Sequence, residues 1–129
     1  MAYFPRARVA AGKATIASVN AAAGLMVIPP EPGRTVRVVD AHLRAIGGTV
    51  GTATSIDLQA STTGTVIVLG TPANMTVAAG ILRVGATGMD AGAGFNADLP
   101  HGEGVKLITV GTDATTVTHI EYSVTYIRS

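Results

Sequence analysis

The stretch that decides the fold is TTVTHIEYSVTYIR, Thr115 to Arg128. Read with a period of two, Thr116, Thr118, Ile120, Tyr122, Val124 and Tyr126 fall on one side. Val117, His119, Glu121, Ser123, Thr125 and Ile127 fall on the other. Successive strand side chains point to opposite faces, so this is a strand with one apolar and one wetter face. Nearly every residue is β-branched or aromatic, the types that fit a pleated, half-buried surface. Neither Gly nor Pro interrupts it. Fully extended it would run roughly 40 Å, longer than most strands. Such a strand needs neighbours to pair with and a second layer over its apolar side.

Working back from that strand, a second long one is expected over Arg34 to Ile46. Its apolar phase switches at Val38–Val39, which predicts a bulge or burial on both faces. Shorter strands are expected at Lys13–Val19, Leu25–Ile28, Ala53–Leu58, Thr65–Leu69, Asn74–Val77, Ile81–Val84 and Val105–Val110. Turn signals separate them: Pro29, Pro30 and Pro32, then Gly47, Gly48 and Gly51, then Ser61–Gly64, then Gly111–Ala114. Asn20–Ala23 is an alanine-rich connector too short to hold a helix by propensity. Gly85–Gly102 reads as one long irregular stretch rich in Gly, Ala and Asp. Eight or nine closely spaced strands without an amphipathic helix predict an all-β fold, an antiparallel β-sandwich of jelly-roll type, with a barrel as the alternative. We expect residues 1–12 to form an extended N-terminal arm and residues 13–129 a single β-sandwich domain.

The 129 residues suit one domain with a real core. Only 13% are charged, against about 25% in an average soluble domain, and 47% are hydrophobic. A surface this poor in charge belongs either to a sparingly charged monomer or to a subunit partly hidden in an assembly. Low charge favours association, so we read an assembly. The net charge of +1 gives no nucleic-acid footprint. No cysteine is present, which excludes disulfides and thiolate chemistry. The longest apolar run, Ala21 to Pro30, is too short to span a membrane. The N-terminus lacks the apolar core of a secretory signal, so synthesis and assembly in the cytoplasm are expected.

Few residues point to chemistry. Gly92-Ala93-Gly94-Phe95-Asn96-Ala97 has glycine spacing close to a dinucleotide fingerprint but lacks the strand–helix context that chemistry needs, so it reads as a loop. Of the three histidines, His42 and His119 would meet, with Asp40 and Glu121, if the two long strands were neighbours. The plainer reading is a polar sheet face. Asp90, Asp98 and Glu103 are too loosely spaced for calcium. Asn74-Met75-Thr76 matches a glycosylation sequon that is inert without secretion. No nucleophile, base and oxyanion donor assemble, so neither catalysis nor a cofactor is expected. A sugar-binding sandwich would want aromatic platforms, and aromatics make up 4% with no Trp.

Two sets of residues suit partner binding. Tyr3 and Phe4 precede Pro5 in the arm, followed by Arg6 and Arg8, with Lys13 beyond. The arm either frays or docks its aromatics on a neighbour. Asp40, His42 and Arg44 share one strand face and suggest a cross-strand charge cluster at a sheet surface or subunit contact.

The stretches Arg34-Thr-Val-Arg-Val-Val-Asp-Ala-His-Leu-Arg-Ala-Ile46 and His119-Ile-Glu-Tyr-Ser-Val-Thr-Tyr-Ile127, joined by Gly/Thr/Ala-rich strands, resemble small all-β virion proteins of tailed bacteriophages. Among these, the capsid decoration (cement) proteins are most similar in style. That resemblance implies a jelly-roll or sandwich subunit, commonly a homotrimer, on the virion surface. It would bind the outside of the major capsid protein lattice, reinforce the shell against internal DNA pressure and catalyse nothing. Another virion component, such as a head-fibre base, neck or tail protein, is the alternative.

Overall fold

The computed structural model describes residues 6–47, 55–71, 81–111, 113–115 and 117–129. Among these residues nine strands form: β1 (Ala7–Thr15), β2 (Leu25–Ile28), β3 (Val36–Ile46), β4 (Ser55–Ala60), β5 (Val66–Gly70), β6 (Leu82–Arg83), β7 (Met89–Ala91), β8 (Val105–Val110) and β9 (His119–Arg128). One short helix, α1 (Ile16–Asn20), follows β1. The strands form a four-stranded sheet, β1-β9-β3-β6, and a five-stranded sheet, β2-β8-β4-β5-β7. Every named pairing is antiparallel. The all-β sandwich expected from the sequence is what the chain forms.

The terminal strand is the hub. β9 pairs with β1 on one side and β3 on the other, so both its hydrogen-bonding edges are used. Ile120 and Val124 are fully buried, on the face the alternation assigns to the core. The expected bulge in β3 is present: the register with β9 shifts between Val38 and Asp40. The extra residue lets Val36 and Val38 before it, and Ala41, Leu43 and Ala45 after it, all reach the core. From the other sheet, Ile28, Ile56, Leu58, Ile67, Val105, Leu107 and Met89 join the same core cluster. Its largest fully buried side chains are aliphatic. Each is worth about 1.5–3 kcal/mol of burial.

Several expectations need correction. Residues 13–19 are not one strand. β1 stops at Thr15, whose side chain accepts from the Ser18 backbone N–H at 3.2 Å and caps α1. Val19, three residues after Ile16, is thereby turned into the core. The arm boundary at residue 12 also moves. Ala7 to Gly12 are already paired along β9, in unbroken register from Ala7–Ile127 to Thr15–His119. Tyr3 and Phe4, the strand expected over Asn74–Val77 and the sequon at Asn74 lie outside the described residues.

Gly85 to Gly102 is not one irregular stretch either. It contains β7, and Gly92 and Gly94 donate to the carbonyls of Ile67 and Val66 along β5. The chain then crosses to β3, where Asn96, Leu99 and Gly102 donate to the carbonyls of Val38, Val36 and Arg34. Three-residue steps of this kind carry no strand periodicity, which is why the sequence reads as a loop.

Candidate assembly surface

The outer face of the four-stranded sheet is set by register. Lys13, Glu121 and Arg44 lie side by side on β1, β9 and β3. The next row holds Ala11, Ser123, His42 and Arg83, and the one after it Val9, Thr125 and Asp40. The β3 bulge is what turns Asp40, His42 and Arg44 outward together, since the apolar residues between them face the core. Asp40, His42 and Arg44 therefore do share one face, as their alternation predicts.

Asp40 is the centre of that face. Its Oδ1 accepts from the Ala41 backbone N–H at 2.9 Å. Its Oδ2 lies 3.4 Å from His42 Nε2 and 3.4 Å from Arg83 Nη2. Arg37 Nε donates to Asp98 Oδ1 at 3.1 Å at the rim. Exposed pairs of this kind contribute about 0–1 kcal/mol, so they shape a binding face more than they hold the fold. Arg44 Nε has no hydrogen-bond partner among the described residues, although Glu121 stands opposite. Glu121 Oε1 instead lies 3.7 Å from His119 Nε2. A shallow depression of about 130 Å³ opens beside Arg44, with His42, Ile81, Glu121 and Ser123 around it.

His42 and His119 do not meet. His42 stands opposite Ser123, four positions from His119 along β9. That spacing is roughly 13 Å. Among the described residues no group of His, Asp or Glu has a metal-binding arrangement. Asp98 and Glu103 are likewise separated in role, one against Arg37 and the other in a turn. No helix among the described residues is long and apolar enough to cross a membrane.

The same sheet has one long free edge among the described residues. β3 is covered on its far side by β6 and by residues 96–102. β2, four residues long, is stopped by Pro29 and Pro30, and β7 has three residues. β1 is nine residues long with only Ala14 buried, and Val9 is 63% exposed. It carries neither proline nor bulge. Arg8 and Lys13 are its only charges, and Arg6 precedes it. The predicted partner residues Arg6 and Arg8 thus stand at the start of the free edge, and Asp40, His42 and Arg44 two strands inward.

Sequence reasoning missed the roles of two acids. Glu103 is 4% exposed and clamps the Ser61–Gly64 turn, accepting from Ser61 Oγ at 3.0 Å, Thr62 N–H at 2.8 Å and Thr63 N–H at 2.9 Å. Asp57 is 3% exposed on the far side of the five-stranded sheet, between Leu69 of β5 and Ile108 of β8. Glu103 lies some forty positions from its turn, so no local spacing announces it. Asp57 alternates with Ile56 and Leu58 as an outward residue should, and alternation does not tell how deeply neighbours cover it.

Comparison with known protein families, with curated proteins and with solved structures finds no match.

Proposed function

We propose that this chain is a structural subunit of a tailed-phage particle, adhering to the outer surface of the capsid lattice and stabilising it, as a homotrimer. The observation that carries this reading is the free edge of β1. Uncovered among the described residues, this regular nine-residue edge offers a row of backbone donors and acceptors, a template for pairing with another chain. Proteins that stay monomeric usually shorten, bend or cover such an edge. The scarcity of charge supports the same reading. So does the similarity of the Arg34–Ile46 and His119–Ile127 stretches to decoration proteins.

The finer fold we propose is a jelly roll. Its support is the strand order. Strands 1, 9, 3 and 6 make one sheet and 2, 8, 4 and 5 the other, with β7 added beside β5. Through the first four strands the chain alternates between layers, and its last two strands, β8 and β9, return beside β2 and β1, as two nested Greek keys require.

Electron cryo-microscopy of the particle that contains this chain tests the function. The expected result is ordered density for the chain on the outer face of the shell at three-fold clusters. Density at the neck, tail or fibre base would overturn the capsid position, and absence from the particle would overturn the whole reading. Sedimentation of the purified chain should give a trimer mass, and a monomer at micromolar concentration would overturn the oligomer.

A further inference from the structure

We infer that the depression beside Arg44 receives a carboxylate, the side chain of an Asp or Glu presented by the protein surface on which this chain packs. The inference names the partner chemistry of the outer sheet face and rests on that face being an assembly surface.

The argument begins with an unmet donor. Arg44 Nε is shielded from solvent and has no hydrogen-bond partner among the described residues. A buried N–H left unpaired is costly, more so on a charged group, so an acceptor from outside would be strongly favoured. The acids already on this face do not supply it. Asp40 accepts from Arg83 at 3.4 Å, and Glu121 Oε1 lies 3.7 Å from His119 Nε2. Lys13 in the same row and Arg83 on β6, 69% exposed at its side chain, leave the surroundings of Arg44 positive.

Size and shape narrow the ligand. The depression, about 130 Å³, holds roughly four water volumes at about 30 Å³ each, enough for the outer atoms of a Glu side chain. A guanidinium matches a planar carboxylate with two parallel bonds. Glu121 lines the same depression and repels a doubly charged phosphate more than a singly charged carboxylate. Ile81, 61% exposed, forms an apolar wall. A packed partner would seal that wall and strip water from the pair, strengthening it. A free small acid binds so open a site in the millimolar range, and a covering surface that holds the carboxylate in place raises that affinity.

The test is a titration of the full-length, isotopically labelled chain followed by NMR at neutral pH, with acetate, acetamide and inorganic phosphate as probes. Acetate should give saturable shifts at the Arg44 Nε–H and at the amides of Ile81 and Ser123, with millimolar affinity, and acetamide none. Arg44→Gln should weaken acetate binding roughly tenfold or more. Arg37→Gln, at the rim pair with Asp98, should leave it unchanged. If Arg44→Gln does not fold, Arg44→Lys decides, because it keeps the charge and loses the fork: roughly threefold weaker binding is expected. Non-saturating shifts, equal binding by the Arg44 variants, or phosphate binding tighter than acetate would each overturn the inference. None of these readouts involves a capsid, so their failure is distinct from failure to find the chain on the particle.

Discussion

Gly12 on β1 lies directly beneath the ring of Tyr122 on β9. The two residues are register partners, and a Cβ placed at Gly12 would come 2.9 Å from Tyr122 Oη and 3.2 Å from Cζ. Glycine inside a strand usually weakens it, and here it makes a seat for an aromatic ring from the neighbouring strand. The edge strand proposed to meet a partner is thus held to the hub strand partly by this ring. Gly12→Val should displace Tyr122 and cost about 1–3 kcal/mol in urea unfolding. Amide exchange should quicken along Ala7–Thr15 while β4 and β8 stay protected. Unchanged exchange in β1 would show that the ring does not hold the edge.

Glu103 joins the start of β8 to the turn between β4 and β5. Burial alone would push its carboxyl pKa up, but the Thr62 and Thr63 N–H groups and the Ser61 hydroxyl outweigh that and hold it below its ordinary value of 4.5. A carboxylate with a depressed folded pKa contributes stability that is present above the unfolded value. That contribution fades as pH falls through the folded value. Glu103→Gln, which keeps one acceptor and loses the charge, should cost about 1–3 kcal/mol at neutral pH. It should also flatten the acid limb of the stability profile below about pH 4.5. Urea titrations at a series of pH values measure both, and a variant whose profile parallels the parent's would remove Glu103 from the account.

Asn20, the last residue of α1, ties that helix to the segment before β9. Its Oδ1 accepts from the Ala114 N–H at 2.8 Å and the Thr109 hydroxyl at 3.0 Å, and its Nδ2 donates to the Ala114 carbonyl at 2.9 Å. Asn20→Ala leaves part-buried backbone groups at Ala114 unpaired, so a loss of about 1–3 kcal/mol is expected. Asn20→Asp should restore the two accepted bonds and lose the donated one, giving an intermediate thermal midpoint. An Asp variant no better than Ala would mean that the side chain acts by packing alone.

How much of this was legible beforehand depended on the range of the forces involved. β2 was readable to the residue because Leu25–Ile28 is a short apolar run closed by two prolines, and the bulge in β3 because its apolar phase slips at Val38–Val39. Both are local facts of period and backbone chemistry. The start of α1 was also local, a Thr15 cap on Ser18, but a competing alternation over 13–19 masked it. Residues 92–102 were not readable, since their order comes from hydrogen bonds to β5 and β3, donated in an aperiodic sequence. The outward grouping of Asp40, His42 and Arg44 followed from alternation, whereas the depression beside Arg44 required knowing that β6 and β9 flank β3.

Asp57 should act on stability in the sense opposite to Glu103. Burial pushes its pKa above the ordinary 3.8, and the hydrogen bonds from Ser55 and Gln59 offset only part of the effect. Its Oδ1 has no hydrogen-bond partner among the described residues. A group whose folded pKa is raised contributes stability that is fully present below the unfolded value and lost as pH rises through the folded one. Neutral pH therefore finds a charge poorly solvated between Ile108 and Leu69. Asp57→Asn keeps the shape and removes the charge. It should stabilise the chain at about pH 7 and change it little at about pH 3, where the parent side chain is already neutral. The difference in unfolding free energy between variant and parent, followed across that range, should grow with pH, while the corresponding Glu103→Gln penalty also grows with pH but with opposite sign. A flat difference for Asp57→Asn would mean that the carboxyl is better solvated than its burial implies.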